Sequence, residues 1–127
     1  MREAVETGIP PTKSPLEWAV RADGILYTAL IATKSDGSLE SGDITAQTTR
    51  TLDNLCQVLD AAGGTMADVT QVLIYLTDGA DAPAMNAIYR TYFDEPFPNR
   101  ATVVISALLA PGAIIEIVAY AHVGKNG

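Results

Sequence analysis

The chain has 127 residues, 48% of them apolar and 18% charged, which suits one packed domain over 1–127 and excludes a disordered chain. Eight Lys and Arg against fifteen Asp and Glu give −7, a sign that repels phosphate backbones and anionic membranes, so neither nucleic acid nor membrane is an expected partner. One cysteine, Cys56, excludes an internal disulfide, one histidine, His122, leaves no zinc cluster, and no apolar run is long enough to predict a transmembrane helix.

Met1-Arg-Glu-Ala-Val-Glu-Thr-Gly has no apolar h-region, so no secretory signal is expected and the protein reads as soluble and cytoplasmic. Residues 1–15 carry three prolines without apolar periodicity and predict an extended arm. Next, Glu17 to Ala22 and Ile25 to Ile31 flank Asp23-Gly24, a pair that tolerates the positive φ of a tight hairpin turn. A polar loop follows over 33–42. Asp43 can cap a helix whose stripe is Ile44, Thr48, Leu52, Leu55, Leu59 and Ala62, and Gly63-Gly64 ends it.

Val69 to Thr77, rich in Val, Ile and Tyr, predicts a buried strand. Asp81-Ala-Pro83 opens a second helix with Met85, Ile88, Tyr89, Tyr92 and Phe93 on its apolar side. Two strands close the chain, Ala101 to Leu108 and Ile114 to Val123, around Pro111-Gly112. The order is β-β-α-β-α-β-β, an α+β domain. Its last strands are apolar on both faces, and two helices cover only one face of a sheet, so the other calls for a second copy of the chain.

Two charged residues are not explained by packing. Glu116 is the only carboxylate between Ala113 and Val123, and alternation puts it on the face of Ile114, Val118 and Tyr120. It is either a strand-edge residue facing solvent or a desolvated carboxylate whose pKa rises toward a value useful for a base. Arg100, at the mouth of a strand in Phe97-Pro-Asn-Arg-Ala-Thr, is either an ordinary surface arginine or a fork for a substrate carboxylate. If the last two strands formed a hairpin, Arg100 would lie opposite about residue 121, ~16 Å from Glu116 along the strand. A site using both would then combine residues of different subunits. Asn86 suits a loop hydrogen bond better than substrate contact. Cys56 reads as an inert thiol, His122 as a packing residue, and Tyr89, Tyr92 and Phe93 as core.

Several blocks carry a family resemblance: Thr49-Arg-Thr-Leu-Asp-Asn-Leu, Ala61-Ala-Gly-Gly, Asp68-Val-Thr-Gln-Val-Leu-Ile-Tyr-Leu-Thr-Asp, Met85-Asn-Ala-Ile-Tyr, Pro98-Asn-Arg-Ala-Thr-Val and Ile115-Glu-Ile-Val-Ala. In this order, from about residue 14 to 123, they resemble the RidA/YjgF family. The resemblance implies a chorismate-mutase-like α+β fold, with two helices on one face of a mixed sheet, and a homotrimer with clefts between subunits. It implies hydrolysis of reactive enamines and imines such as 2-aminoacrylate to keto acids and ammonia, without metal or organic cofactor. Arg100 matches the arginine that grips the substrate carboxylate, and Glu116 the glutamate that activates water.

The wall departs from the family pattern. Leu16 stands after Ser14-Pro15 where the imine deaminases have a tyrosine, Ala29-Leu30 replace a Ser-Gly pair, and Thr102 replaces a cysteine. Leu16, Leu30 and Thr102 are therefore expected to line the substrate pocket and to alter its specificity. One alternative is a 2-aminomuconate-type deaminase of aromatic-compound catabolism, with a longer dicarboxylate substrate. Another is a non-catalytic trimer that binds small carboxylates. The endoribonuclease label often attached to the family fits poorly with −7 and a single histidine.

Overall fold

In the computed structural model, which describes residues 1–124, the N-terminal arm adds a short edge to the sheet: Glu3–Ala4 (β1) pair antiparallel with Ala19–Ala22 (β2). Residues 125–127 of the expected domain lie outside the described residues. Asp23 (φ 51°) and Gly24 (φ 77°) both adopt the left-handed conformation and turn β2 into Ile25–Leu30 (β3), the hairpin that Asp-Gly predicts.

Helix α1 spans Ile44–Ala61, and the Asp43 carboxylate accepts a 3.0 Å hydrogen bond from the Ala46 N–H, satisfying one of the free donors of the first turn. Leu52, Leu55, Val58 and Leu59 are buried on its inner face, and Gly63 (φ 82°) carries the chain out in a conformation that a side chain would strain. Val69–Leu76 (β4), Ala82–Tyr92 (α2, with Pro83 in its first turn), Asn99–Val104 (β5) and Ile115–His122 (β6) complete the domain.

The sheet order is β1-β2-β3-β6-β4-β5, with β4 and β5 parallel and the remaining neighbours antiparallel. The expected hairpin of the last two strands is not formed. β6 inserts between β3 and β4, while β5 lies on the far side of β4 as the sheet edge. β6 needs hydrogen-bonding partners on both sides because its alternate residues Ile115, Ile117, Ala119 and Ala121 are fully buried. By contrast, Ala101 to Val104 of β5 are exposed, and β5 ends at Val104 rather than Leu108.

The core lies on one face, where Leu26, Val72, Ile74, Leu76, Ile115 and Ile117 meet Leu52, Leu55, Leu59 and Met85 of the helices. The register puts Tyr27, Leu73, Tyr75, Glu116, Val118 and Tyr120 on the other face. Among the described residues no helix covers them. Tyr27 and Tyr120 meet edge to face there, 5.6 Å apart at 85°.

Candidate active site

Arg100 and Glu116 are presented by different strands on opposite faces of the sheet. Arg100 pairs with Val72, which pairs in turn with Ala119, whereas Glu116 pairs with Tyr75. Three residues along the strands and two strand spacings across give a backbone separation of ~14 Å. Arg100 shares the helix-side face with Val72, and Glu116 shares the uncovered face with Tyr75. The separation derived from a hairpin of the last two strands is therefore overturned, because β5 and β6 are not neighbours; within one chain the two side chains lie on opposite faces instead.

The arginine half is built on α2 and the β5 edge. The Arg100 guanidinium lies 4.7 Å from the centroid of the Tyr89 ring, a cation–π distance. Tyr89 is buried and stacks on Phe93 at 4.7 Å, so the platform under the cation is fixed by the core. Burial raises the pKa of the Tyr89 hydroxyl, with Arg100 opposing the shift, and this hydroxyl has no hydrogen-bond partner. Arg100 makes no ion pair among the described residues. In a chain of net −7, a half-buried guanidinium without a carboxylate partner among the described residues has the chemistry to bind an anion. The cavity around it is about 260 Å³ and is lined by Asn86, Tyr89, Arg90, Phe97, Pro98 and Arg100.

The glutamate half is a larger hollow of about 640 Å³, bordered by Glu116, Leu16, Trp18, Ala29, Leu30, Ile31 and the 107–111 loop. Desolvation alone raises the pKa of the half-buried Glu116, and no cation or hydrogen bond offsets it. The walls are held by specific contacts. Trp18 Nε1 donates to the Pro10 carbonyl at 2.9 Å, and the Thr28 hydroxyl donates to the Trp18 carbonyl at 2.6 Å. Gln47, buried on α1, donates to the Gly112 carbonyl at 2.9 Å and accepts from the Ile114 N–H at 3.1 Å. One side chain thus ties the helix layer to the loop leading into Glu116.

Leu16 and Leu30 therefore meet Glu116, whereas Arg100 and Thr102 do not. Leu16 is exposed beside the hollow, while Leu30 is 2% exposed with its side chain in the core, so the wall it gives is chiefly backbone. Thr102 lies two residues beyond Arg100 on the same side of β5, exposed, and lines neither cavity. Asn86, expected to bond a loop, and Tyr89, expected in the core and found there, also line the arginine cavity, while Arg90 beside them and Gln47 behind the other hollow are not singled out by the sequence. Asn86, Tyr89 and Arg90, at spacings of three and four, share one face of α2, a pattern that could have grouped them.

This arrangement can be set against known proteins. Residues 9–123 match the family model described as Endoribonuclease L-PSP. RutC of Acinetobacter baylyi, named a 3-aminoacrylate deaminase, is 40% identical over 118 residues, 91% of this chain and 93% of that one. YyfA of Yersinia pestis, a protein of unknown function in the conserved Rid family, has a TM-score of 0.89 at 34% identity, over 96% of this chain and 99% of that one. RidA of an Antarctic Psychrobacter gives 0.87 at 26% identity, over 94% and 98%. With nearly the whole chain matched in sequence and in strand arrangement, this protein belongs to the RidA/YjgF family.

Proposed function

We propose that the protein hydrolyses reactive enamines or imines of small carboxylic acids to keto acids and ammonia, without a cofactor, at sites shared between subunits of a homotrimer. The observation that carries this reading is the half-buried Arg100, without an ion pair among the described residues and with its guanidinium held on the Tyr89 ring. The 40% identity to a 3-aminoacrylate deaminase supports the reaction class. The opposite-face placement of Arg100 and Glu116 supports a site that needs two copies of the chain. So do the exposed Phe97, Val103, Val104 and Leu109 at the β5 end of the sheet and in the loop after it. The charge of −7 favours a small acid over RNA as substrate, and a cytoplasmic enzyme of intermediary metabolism fits this chemistry.

In this mechanism Arg100 grips the carboxylate through paired N–H donors and turns a collision into an oriented encounter. For a 2-aminoacrylate-type substrate, the enamine tautomerises to the imine. Glu116 of a neighbouring subunit takes a proton from water as its oxygen bonds to the imine carbon, giving a carbinolamine. The glutamic acid gives that proton to nitrogen, which completes the neutral carbinolamine. The carboxylate then relays the hydroxyl proton to nitrogen as the carbonyl forms and the C–N bond breaks, and keto acid and ammonia leave. One water is consumed per ammonia released. Burial of Glu116 suits both halves of the cycle, because a raised pKa brings its acid and base forms closer in energy near neutrality.

A 2-aminomuconate-type substrate is the second reading, favoured by the apolar hollow of about 640 Å³ beside Glu116. The test is ammonia release from 2-aminoacrylate and 3-aminoacrylate generated enzymatically, with wild type, Arg100→Ala and Glu116→Ala compared. Acceleration by wild type and loss in both variants is the expected result. An inactive wild type on both compounds directs the assay to 2-aminomuconate, and inactivity there with carboxylate binding intact would replace the enzyme with a binding protein.

A further inference from the structure

The cavity at the β5 edge holds a second cation that gripping one carboxylate does not use. Arg90 follows Tyr89 on α2 and lines the same cavity as Arg100, with Asn86 one turn earlier on the same helix face. Among the six lining residues two are arginines and none is acidic, although acids outnumber bases by fifteen to eight in the chain. Neither arginine forms an ion pair among the described residues. Tyr89, 5% exposed, also lines this cavity, and its buried hydroxyl has no hydrogen-bond partner among the described residues.

A C-terminal arginine is favoured by the helix dipole, and this accounts for a cation in the last turn of α2. It does not account for a second free guanidinium sharing a concavity with the first. One carboxylate saturates one guanidinium fork. The cavity, about 260 Å³, is open at its rim, so a ligand longer than a three-carbon acid can extend from Arg100 toward Arg90.

We infer that Arg90 is a specificity-determining residue that binds a second anionic group, so the substrate is an enamine or imine acid whose chain ends in another carboxylate. This rests on the reading of Arg100 as the carboxylate anchor. Arg100 fixes the acid next to the reacting carbon, and Arg90, at the exposed rim, receives the distal one. The overall field of the chain acts against this preference, since −7 repels a dianion more than a monoanion. A preference for the dianion therefore has to come from cations at the cavity.

The experiment is calorimetric titration of the full-length protein with two five-carbon keto acids that mimic products, 2-oxoglutarate and 2-oxopentanoate. Wild type is expected to bind the dicarboxylate about fivefold more tightly, the scale of one exposed but well-oriented ion pair. Arg90→Gln brings that ratio close to one. Arg2→Gln, the same charge change beside β1 at the opposite edge of the sheet, leaves the ratio near its wild-type value. A wild type without preference, a preference that survives Arg90→Gln, or an equal response to Arg2→Gln overturns the inference. Arg100→Gln separates the two levels: if it weakens both ligands while Arg90→Gln is silent, the anchor stands and only the second subsite falls. If it weakens neither, the reading of the cavity falls as a whole.

Discussion

Arg100 and Glu116 are supported in opposite ways. Arg100 sits on an edge strand and is held by an aromatic ring that is itself packed in the core. Glu116 sits on an interior strand paired with Tyr75; its surroundings desolvate the carboxylate without giving it a partner among the described residues. The contrast fits the two tasks proposed for these residues. A guanidinium remains charged at any working pH, so only its position has to be set. A carboxylate that moves protons has to be tuned, and desolvation is the cheapest way to raise its pKa. An edge strand also offers its residue to another chain, whereas an interior strand cannot move without disrupting the sheet.

The largest expected effect tests whether the two halves belong to different chains. Arg100→Ala and Glu116→Ala should each lower kcat/KM by at least about 100-fold, as losses of an anchor and an acid–base group do. Mixed and refolded together at equal amounts, the two inactive variants should recover about a quarter of wild-type sites. Random assembly gives each site an intact arginine half of the time and an intact glutamate half of the time. A site built within one chain would recover nothing, so the activity of the mixture decides the matter.

Glu116→Gln should separate stability from activity. Folding raises this pKa above the ordinary 4.5, so the protonated form is favoured in the native state. Below the unfolded value both states carry the proton and burial costs nothing extra. As pH rises through the unfolded and then the folded value, the native state has to hold a desolvated charge and stability is lost. The variant should therefore melt higher than wild type at pH 7 and match it near about pH 3.5, while remaining inactive. In wild type the acid limb of the rate profile should have its midpoint above 4.5. Equal melting at both pH values would mean that Glu116 is not desolvated in solution.

Gln47 tests the wall of the glutamate half. Its two hydrogen bonds, at 2.9 and 3.1 Å, satisfy a carbonyl and an N–H that Gln47→Ala would leave bare. The expected loss is ~2 kcal/mol in urea denaturation, the cost of buried groups left unpaired. KM should rise as well, because the 107–111 loop borders the hollow.

Much of this molecule can be read from residue patterns. The Asp23-Gly24 turn, the Asp43 cap and the stripe of α1 are local signals, and local physics decides them. The partner of the last strand is not local. A strand apolar on both faces needs neighbours, and its composition does not say which ones, so Ile115–His122 could be paired with the strand before it in sequence when its neighbours are β3 and β4. The same limit applies to the site. Glu116 and Arg100 stand out because each breaks a pattern, a lone acid in an apolar run and a cation at a strand mouth. Gln47 breaks none, since a glutamine on a helix is unremarkable until the loop it bonds is known. Tyr89 reads as core and is core, but one of its ring faces also supports Arg100.

That dual role gives the smallest effect, and it probes the arginine half directly. Tyr89→Leu keeps an apolar residue in the core but removes the π face beneath Arg100. A cation–π contact at a partly desolvated site is worth ~1 kcal/mol, so KM for the substrate acid should rise about fivefold while kcat changes little. Tyr89→Phe retains the ring and discards a buried hydroxyl that has no partner, so KM should stay near wild type and stability should be unchanged or higher. A merely structural tyrosine would give a lower melting temperature with no selective change in KM. In the Arg100→Gln background, Tyr89→Leu should leave the affinity for the keto acid product as it is, because the ring then has no cation to hold. If the affinity drops there as well, Tyr89 acts on the cavity by packing and not through the arginine.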